Sequence, residues 1–477
     1  MAQKQIILLE FNELCPPLLD RWMAQGELPN FRRFYDDSAV FTALADELNP
    51  DYLDPWIQWY SLHTGLAYKQ HRVLHLTDGP KAGHNDIWKM LMSGGHTVAN
   101  CGSMNAASFR CGGGFYIPDP WCNTESPNPD ELGIYHKVVT NRVQENSTGG
   151  EGCLTRNDYK AFLRFLMRHG LTGNTVFALA SQLFSDTIMH AENKWKRAAL
   201  LDLIQTDVFL HFWNRARPEF STFFLNSTAH FQHAYWHCAF PEEFDGPRDE
   251  AYIEAHKGAV LHGYRQMDAL LERFFDLEKQ GVTLILSTAL SQQANVGTSD
   301  QFYRVREIRP FLQSLGIEPV EVLPVMTEQY SAQFRDEASA RAAREKLAEL
   351  RVEGIRIIDF GKAPEGSLYF GCGIRSAVGK ESTIEGLAGS PRFFDVFYTI
   401  PHTKSARHHP DSVLWFKTGK HQVHRKKVSI LDIVPTLLDM YGVDRRKADP
   451  KGELQGTSLK PVIEGAAAEV HELALVG

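Results

Sequence analysis

Two adjacent histidines and a carboxylate, in Arg407-His408-His409-Pro410-Asp411, stand just before the apolar run of residues 412–416. Imidazoles at a strand end bind a divalent metal when further ligands arrive from distant parts of the chain. Three other segments offer such groups. Glu10-Phe11-Asn12-Glu13 closes a short apolar run. Asn226 ends the run STFFLN, and His230, His233 and His237 follow it. Asp54, Trp56 and Gln58 open a helical pattern. A carboxylate at the end of a buried strand is costly unless a cation or donors meet it. Glu10 is therefore the first expected ligand, with His230 and His409 as its partners.

Each of these residues also has a plainer reading. His408 and His409 fit a solvated loop pair. His230 fits a packed ring among Phe231, Tyr235 and Trp236. The spacing of His230, His233 and His237 puts them on one helix face, as a ligand row or as part of an aromatic wall. Asp54 before Pro55 suits a helix cap. Trp56, Trp59, Trp121 and Tyr116 serve a core as readily as a stacking platform. Gly112-Gly113-Gly114 lacks the strand, helix and Lys context of a nucleotide-binding loop.

The elements that must position these groups follow from apolar patterning. Residues 5–11, 221–226 and 282–287 read as buried strands of a parallel sheet. Between and after them come helices over residues 16–25, 29–34, 56–64, 249–279 and 431–441. Strands separated by helices predict an α/β fold, a mostly parallel central sheet flanked by helices on both faces, whose sites form at strand C-termini. Residues 1–318 and 373–477 are expected to form this core. Residues 102–216 are expected as a loop-rich and helical insertion, and 319–372 as an inserted βαββ unit.

Bulk composition excludes several classes. The chain has 477 residues, of which 43% are hydrophobic and 23% charged, and a net charge of −8. No block of Lys and Arg stands out, so nucleic acid and anionic membrane are poor expected partners. No run is long and apolar enough for a membrane span. Met1-Ala2-Gln3-Lys4 leads straight into the first strand without a secretory signal, which predicts a cytoplasmic protein. Seven scattered cysteines with no CxxC pair predict free thiols.

Three stretches resemble the alkaline phosphatase superfamily, in particular its phosphodiesterase/nucleotide pyrophosphatase and sulfatase branches. They are Leu28-Pro29-Asn30-Phe31, then Ser61-Leu62-His63-Thr64-Gly65-Leu66 with His71, and Asp432-Ile433-Val434-Pro435-Thr436-Leu437-Leu438 with Gly442 and the Gly456–Pro461 tail. The resemblance implies the fold just described and a two-metal site for in-line attack on phosphorus or sulfur. Carried over residue by residue, the first family Asp falls on Glu10 or Asn12. The nucleophile position falls on Pro55 or Asp54. The Asp-x-x-x-His motif becomes Asn226 and His230. The later Asp-His pair becomes Thr288-Ala289, and the last His is His409 or His408.

The expectation is a divergent hydrolase of a phospho- or sulfo-ester with a reduced metal site. One divalent cation, zinc or manganese, would sit among Glu10, Asn226, His230, His409 and Asp411. Asp54, Glu10, His230 and His409 would be catalytic, with Asn12, Gln58, Trp56 and His408 on the substrate. The substrate would be a small-molecule or glycan ester; the oligomeric state is open. The rival readings are a pseudoenzyme that binds or scaffolds on the same fold, and a group-transfer enzyme with a rebuilt site.

Overall fold

The structure is a computed structural model that describes residues 4–50, 52–76, 78–122, 124–148, 154–188, 194–245, 249–296, 301–325, 328–400 and 405–465. The chain folds into two compact units. One comprises Met1–Arg142, Cys153–Ala294 and Ala406–Gly477; the other comprises Val143–Gly152 and Asn295–Ser405.

The first unit is built on one large sheet. Its strands are β1 (Gln5–Phe11), β2 (Ser38–Leu44), β3 (Val98–Cys101), β4 (Phe115–Ile117), β5 (Phe220–Leu225) and β6 (Val282–Ser287). After a short β7 (Ser291–Ala294) come β8 (Ala406–His409), β9 (Asp411–Lys417), β10 (Gln422–Val423) and β11 (Val428–Ser429). The sheet order is β10-β2-β9-β6-β1-β5-β3-β4, with β11 also on β2. From β4 to β6 every pairing is parallel. β9 runs antiparallel to both β6 and β2. β1 is apolar from Ile6 to Leu9 because helices cover both of its faces. One face packs on helices Pro55–Thr64 and Ile433–Tyr441 through Ile6, Leu8, Trp59, Leu62 and Val434. The other meets helices Arg197–Ala216 and Ala259–Glu278, where Phe223 packs between Phe209 and Phe274.

Register places the site. Glu10 lies level with Phe224 of β5 and Ser287 of β6. The three central strands therefore end together, and Asn12-Glu13, Asn226 and Thr288 leave the sheet along one edge. β7 and β8 form a separate antiparallel ribbon that pairs His408 with Gln292 and His409 with Ser291.

The second unit has its own core around Tyr330, Leu347, Phe370, Phe393 and Phe397. A four-stranded sheet runs in the order Ile358–Gly361, Ser367–Cys372, Gln329–Gln333, Glu321–Pro324. The expected 319–372 segment lies inside this unit. The pairing of Tyr303–Val305 with Phe397–Thr399 extends it past both expected ends.

Several sequence expectations need correction. The expected loop-rich and helical insertion over residues 102–216 also supplies β4 and helix Arg197–Ala216 to the first unit, and Tyr116, Phe209 and Trp213 are fully buried. The helix expected over 249–279 is two, Glu250–His256 and Ala259–Glu278, separated at Lys257-Gly258. Six of the seven cysteines lie in described residues and all six are free; Cys153 lies outside them. No helix among the described residues is long and apolar enough to cross a membrane.

Candidate metal centre

Past the ends of β1, β5 and β6, Glu13, His233 and His408 offer three ligand atoms that all lie within 4.8 Å of one another. Each arrives on a different element. Glu13 follows β1 in a left-handed backbone conformation (φ +62°), which non-glycine residues seldom adopt. Such a conformation costs on the order of 1–3 kcal/mol and persists where surrounding contacts fix it. Here Gln232 Nε2 donates to the Glu13 carbonyl at 2.8 Å. His233 stands on helix Ser227–Ala239, and His408 on β8.

Both imidazoles are oriented in the same sense. His233 Nε2 lies 3.1 Å from Glu13 Oε2, and His408 Nε2 lies 3.5 Å from the same oxygen. The opposite nitrogens face oxygen acceptors. His233 Nδ1 is 3.1 Å from the Ala406 carbonyl, and His408 Nδ1 is 3.3 Å from Asp54 Oδ1. The two rings cross at 79° with centroids 5.3 Å apart. His408 Nε2 is buried, and apart from its 3.5 Å approach to Glu13 it has no hydrogen-bond partner among the described residues. In metal sites, the non-ligating ring nitrogen donates to a carboxylate or carbonyl, which fixes the tautomer and leaves the other lone pair for the ion.

Amides surround the carboxylate. Asn12 Nδ2 donates to Glu13 Oε1 and to Asn226 Oδ1, each at 2.8 Å. Trp59 Nε1 holds Asn12 Oδ1 at 2.7 Å. Gln292 Nε2 donates to Glu13 Oε2 and, at 3.2 Å, to the Ala229 carbonyl. Asp54 occupies the N-cap position of helix Pro55–Thr64 but makes no side-chain capping bond, so its carboxylate is available to His408.

The charges are strongly coupled. Burial opposes ionisation of Glu13, but His408 and His233 outweigh it and hold the carboxyl well below its usual range. Burial also opposes charge on His408, yet Glu13 and Asp54 on either side push it up to about 10. Without a cation, His408 is thus an imidazolium between two carboxylates. A bound cation would take the place of its Nε2 proton. Two histidines and one glutamate with a free position form a donor set of catalytic zinc, and imidazole and carboxylate also accept manganese. The residues fit a single divalent metal.

The expected meeting of Glu10, His230 and His409 does not occur. Glu10 is fully buried and its Oε1 lies 2.8 Å from His63 Nε2, inside the core and short of the sheet edge. His230 is exposed on its helix. His409 Nδ1 accepts the backbone N–H of Asp411 at 3.2 Å, and Asp411 pairs with Lys427 at 2.5 Å. Gln58 serves the backbone, accepting from Asp46 N and donating to the Tyr52 carbonyl. Trp56 Nε1 donates to the Leu74 carbonyl. Of the residues anticipated, Asp54, His408, Asn12 and Asn226 lie in or around the cluster. Glu13 and Gln292 carry no expected role, and His233 enters only as one of three histidines on a helix face, a ligand row or an aromatic wall. For Glu13 and His233 the signal was present: each sits beside or one helical turn from a residue that was chosen.

A separate Ser–His contact, outside the cluster, carries no nucleophile. Ser61 Oγ is 2.9 Å from His71 Nε2, while Val73 N–H donates to His71 Nδ1. The ring proton is therefore on Nε2, facing the hydroxyl, and burial holds His71 down at about 3. It cannot take a proton from Ser61.

No family model and no curated protein matches this chain. Solved structures similar to it include phosphonoacetate hydrolase from Sinorhizobium meliloti 1021, at 12% identity, covering 91% of this chain and 94% of that one, with a TM-score of 0.39. Murine ectonucleotide pyrophosphatase/phosphodiesterase 5 is 11% identical over 92% and 96% of the two chains, with a TM-score of 0.38. A mutant of the alkaline phosphatase PafA is 14% identical over 97% and 99%, with a TM-score of 0.44.

Proposed function

We propose that this chain is a hydrolase of phospho- or sulfo-esters that works with one divalent cation held by Glu13, His233 and His408. The observation that carries this reading is the shared orientation of the two rings: each Nε2 faces Glu13 Oε2, and each Nδ1 faces an oxygen acceptor. When bound, the cation would supply Lewis acidity toward an ester oxygen and lower the pKa of a water. The chain's own residues do the rest. Asp54 accepts the His408 Nδ1 proton and sets that ring's tautomer. Asn12 and Gln292 fix the Glu13 carboxylate. Asn226, exposed at the end of β5, offers an amide to an ester's anionic oxygens. In this reading Asp54 is a positioning residue, and water is the nucleophile.

The test combines metal analysis of the purified chain with hydrolysis of p-nitrophenyl phosphate, bis-p-nitrophenyl phosphate and p-nitrophenyl sulfate. One equivalent of zinc or manganese and turnover of one ester are expected. A chain that takes up no cation and cleaves none of the three esters sinks the proposal.

A second reading, a binding module on the same fold, draws on one specific observation. Glu13, His408 and Asp54 already balance one another as an ion network with His408 held up at about 10. Thr288-Ala289 also stands where the resemblance implies an Asp-His pair. A metal-free chain that binds a phosphoester without cleaving it belongs to that reading.

A further inference from the structure

Two consecutive helices far along the chain from these ligands, Arg156–Arg168 and Gly173–Ile188, turn the wrong residues outward for a water-facing surface. The outer stripe of the second is Gly173, Val176, Phe177, Ala180, Leu183 and Phe184. Phe177 is 75% exposed, Phe184 68% and Leu183 65%. Its one acidic side chain, Asp186, is paired with Arg197. A helix on a soluble surface normally presents charged and polar residues outward. This one packs on helix Arg197–Ala216 and leaves apolar side chains on the far side.

The first helix adds charge. Tyr159, Leu163 and Met167 form an exposed apolar row at four-residue spacing, and Met167 is 64% exposed. The adjoining row, one residue on, is Arg156, Lys160, Arg164 and Arg168, all exposed. None of these four cations has an ion-pair partner among the described residues, and the nearby Asp158 is taken by Lys137. Like charges at i, i+4 destabilise a helix unless something neutralises them. The whole chain carries a net charge of −8, so this row is a local departure and does not follow from overall composition.

We propose that these two helices dock on the anionic surface of a phospholipid bilayer, with Leu163, Met167, Phe177 and Phe184 entering the interface and the basic row meeting lipid phosphates. An apolar face beside a basic one is the composition of interfacial helices that lie in the membrane plane without spanning it. A nucleic acid would satisfy the cations and leave the Phe and Leu face in water. A second copy packed symmetrically on the same face would cover the apolar side chains and bring a second basic row alongside the first. The bilayer satisfies both.

The experiment is flotation of the full chain with vesicles of phosphatidylcholine alone and of phosphatidylcholine with phosphatidylglycerol, at low and high salt. Binding to the anionic vesicles should be about tenfold stronger and should weaken with salt. The triple variant Lys160→Gln, Arg164→Gln, Arg168→Gln should lose the anionic preference. Phe177→Asp with Phe184→Asp should lose binding to both vesicle types, with the circular dichroism spectrum unchanged because both positions are exposed. A chain that floats with neither vesicle at low salt overturns the proposal. So does a solution dimer that the two Phe substitutions dissociate, since the face would then be a subunit interface.

Discussion

The Nδ1 atom of His408 lies 3.3 Å from Oδ1 of Asp54, and this contact decides which edge of the ring remains for a ligand. Asp54 comes from the start of a helix beneath the sheet edge and His408 from a ribbon strand more than three hundred residues later. A carboxylate on Nδ1 holds the proton there and makes Nε2 the better donor to a metal.

Asp54→Asn should therefore weaken zinc binding by about 10- to 100-fold while leaving the fold intact. Competition with a chromogenic chelator reads this directly. An unchanged zinc affinity in the variant would remove Asp54 from the centre.

The pH dependence has a definite sign. In the metal-free chain His408 is pushed from 6.5 up to about 10. A raised histidine pKa means that its contribution to stability is complete below about pH 6.5 and is lost as pH climbs through about 10. Glu13 is displaced the other way, so its contribution is complete above the ordinary carboxylate range and is lost in acid. The metal-free melting temperature should thus fall on the alkaline side between these limits, and Glu13→Gln should flatten that fall. Zinc must also displace the His408 proton. Titration calorimetry in buffers of different ionisation enthalpy should show proton release near neutral pH; an enthalpy independent of buffer would contradict it.

Glu10 has a structural task. Its Oε1 meets His63 Nε2 at 2.8 Å with both side chains buried, while Glu10 Oε2 and His63 Nδ1 have no hydrogen-bond partner among the described residues. Removing one member of a buried pair strands the other and costs about 3–5 kcal/mol. Glu10→Ala should lose stability on that scale in urea unfolding and retain its metal stoichiometry. Loss of metal with unchanged stability would return Glu10 to the site.

Part of this arrangement was legible in the sequence and part was not. Apolar runs located β1, β5 and β6, because strands buried on both faces are mostly apolar, with Glu10, Thr222 and Ser287 as buried exceptions. β2 was missed: Ser38–Leu44 mixes Ser, Thr and Ala with larger residues and carries no periodic signal. The Asp432 motif proved to be a stitch. Its carboxylate accepts Ser429 N–H and Thr457 N–H at 2.9 and 2.7 Å, tying the start of helix Ile433–Tyr441 to the Gly456 tail. The candidate ligands stand small steps from the expected ones, at 13 beside 10, 233 beside 230 and 408 beside 409. A strand fixes direction to a residue, but the turn after it, such as the left-handed Glu13, decides which side chain faces the site. The basic row at 156, 160, 164 and 168 forms no block of consecutive charges in the sequence, since its period is that of a helix.

Gly456 follows from the same stitch. Its φ is +64°, and a Cβ there would stand 2.3 Å from the Leu431 carbonyl oxygen. Gly456→Ala should cost more than the roughly 1 kcal/mol of a left-handed alanine, because backbone must also move. Thermal unfolding measures it; a variant as stable as the parent would mean that the tail does not pack on Leu431.

The sharpest contrast is between two histidines on one helix. His230 and His233 lie one turn apart on Ser227–Ala239, and the resemblance favours His230. Only His233 reaches Glu13, with Nε2 at 3.1 Å, and its other nitrogen faces the Ala406 carbonyl. His230 is exposed. His233→Ala removes one of three donors, so bound zinc should fall to a trace and any ester turnover with it. His230→Ala should keep both metal content and turnover within about twofold of the parent, as expected of a surface substitution. If elemental analysis gives the reverse order, the ligand row follows the family's spacing and the trio of Glu13, His233 and His408 is an ion network alone.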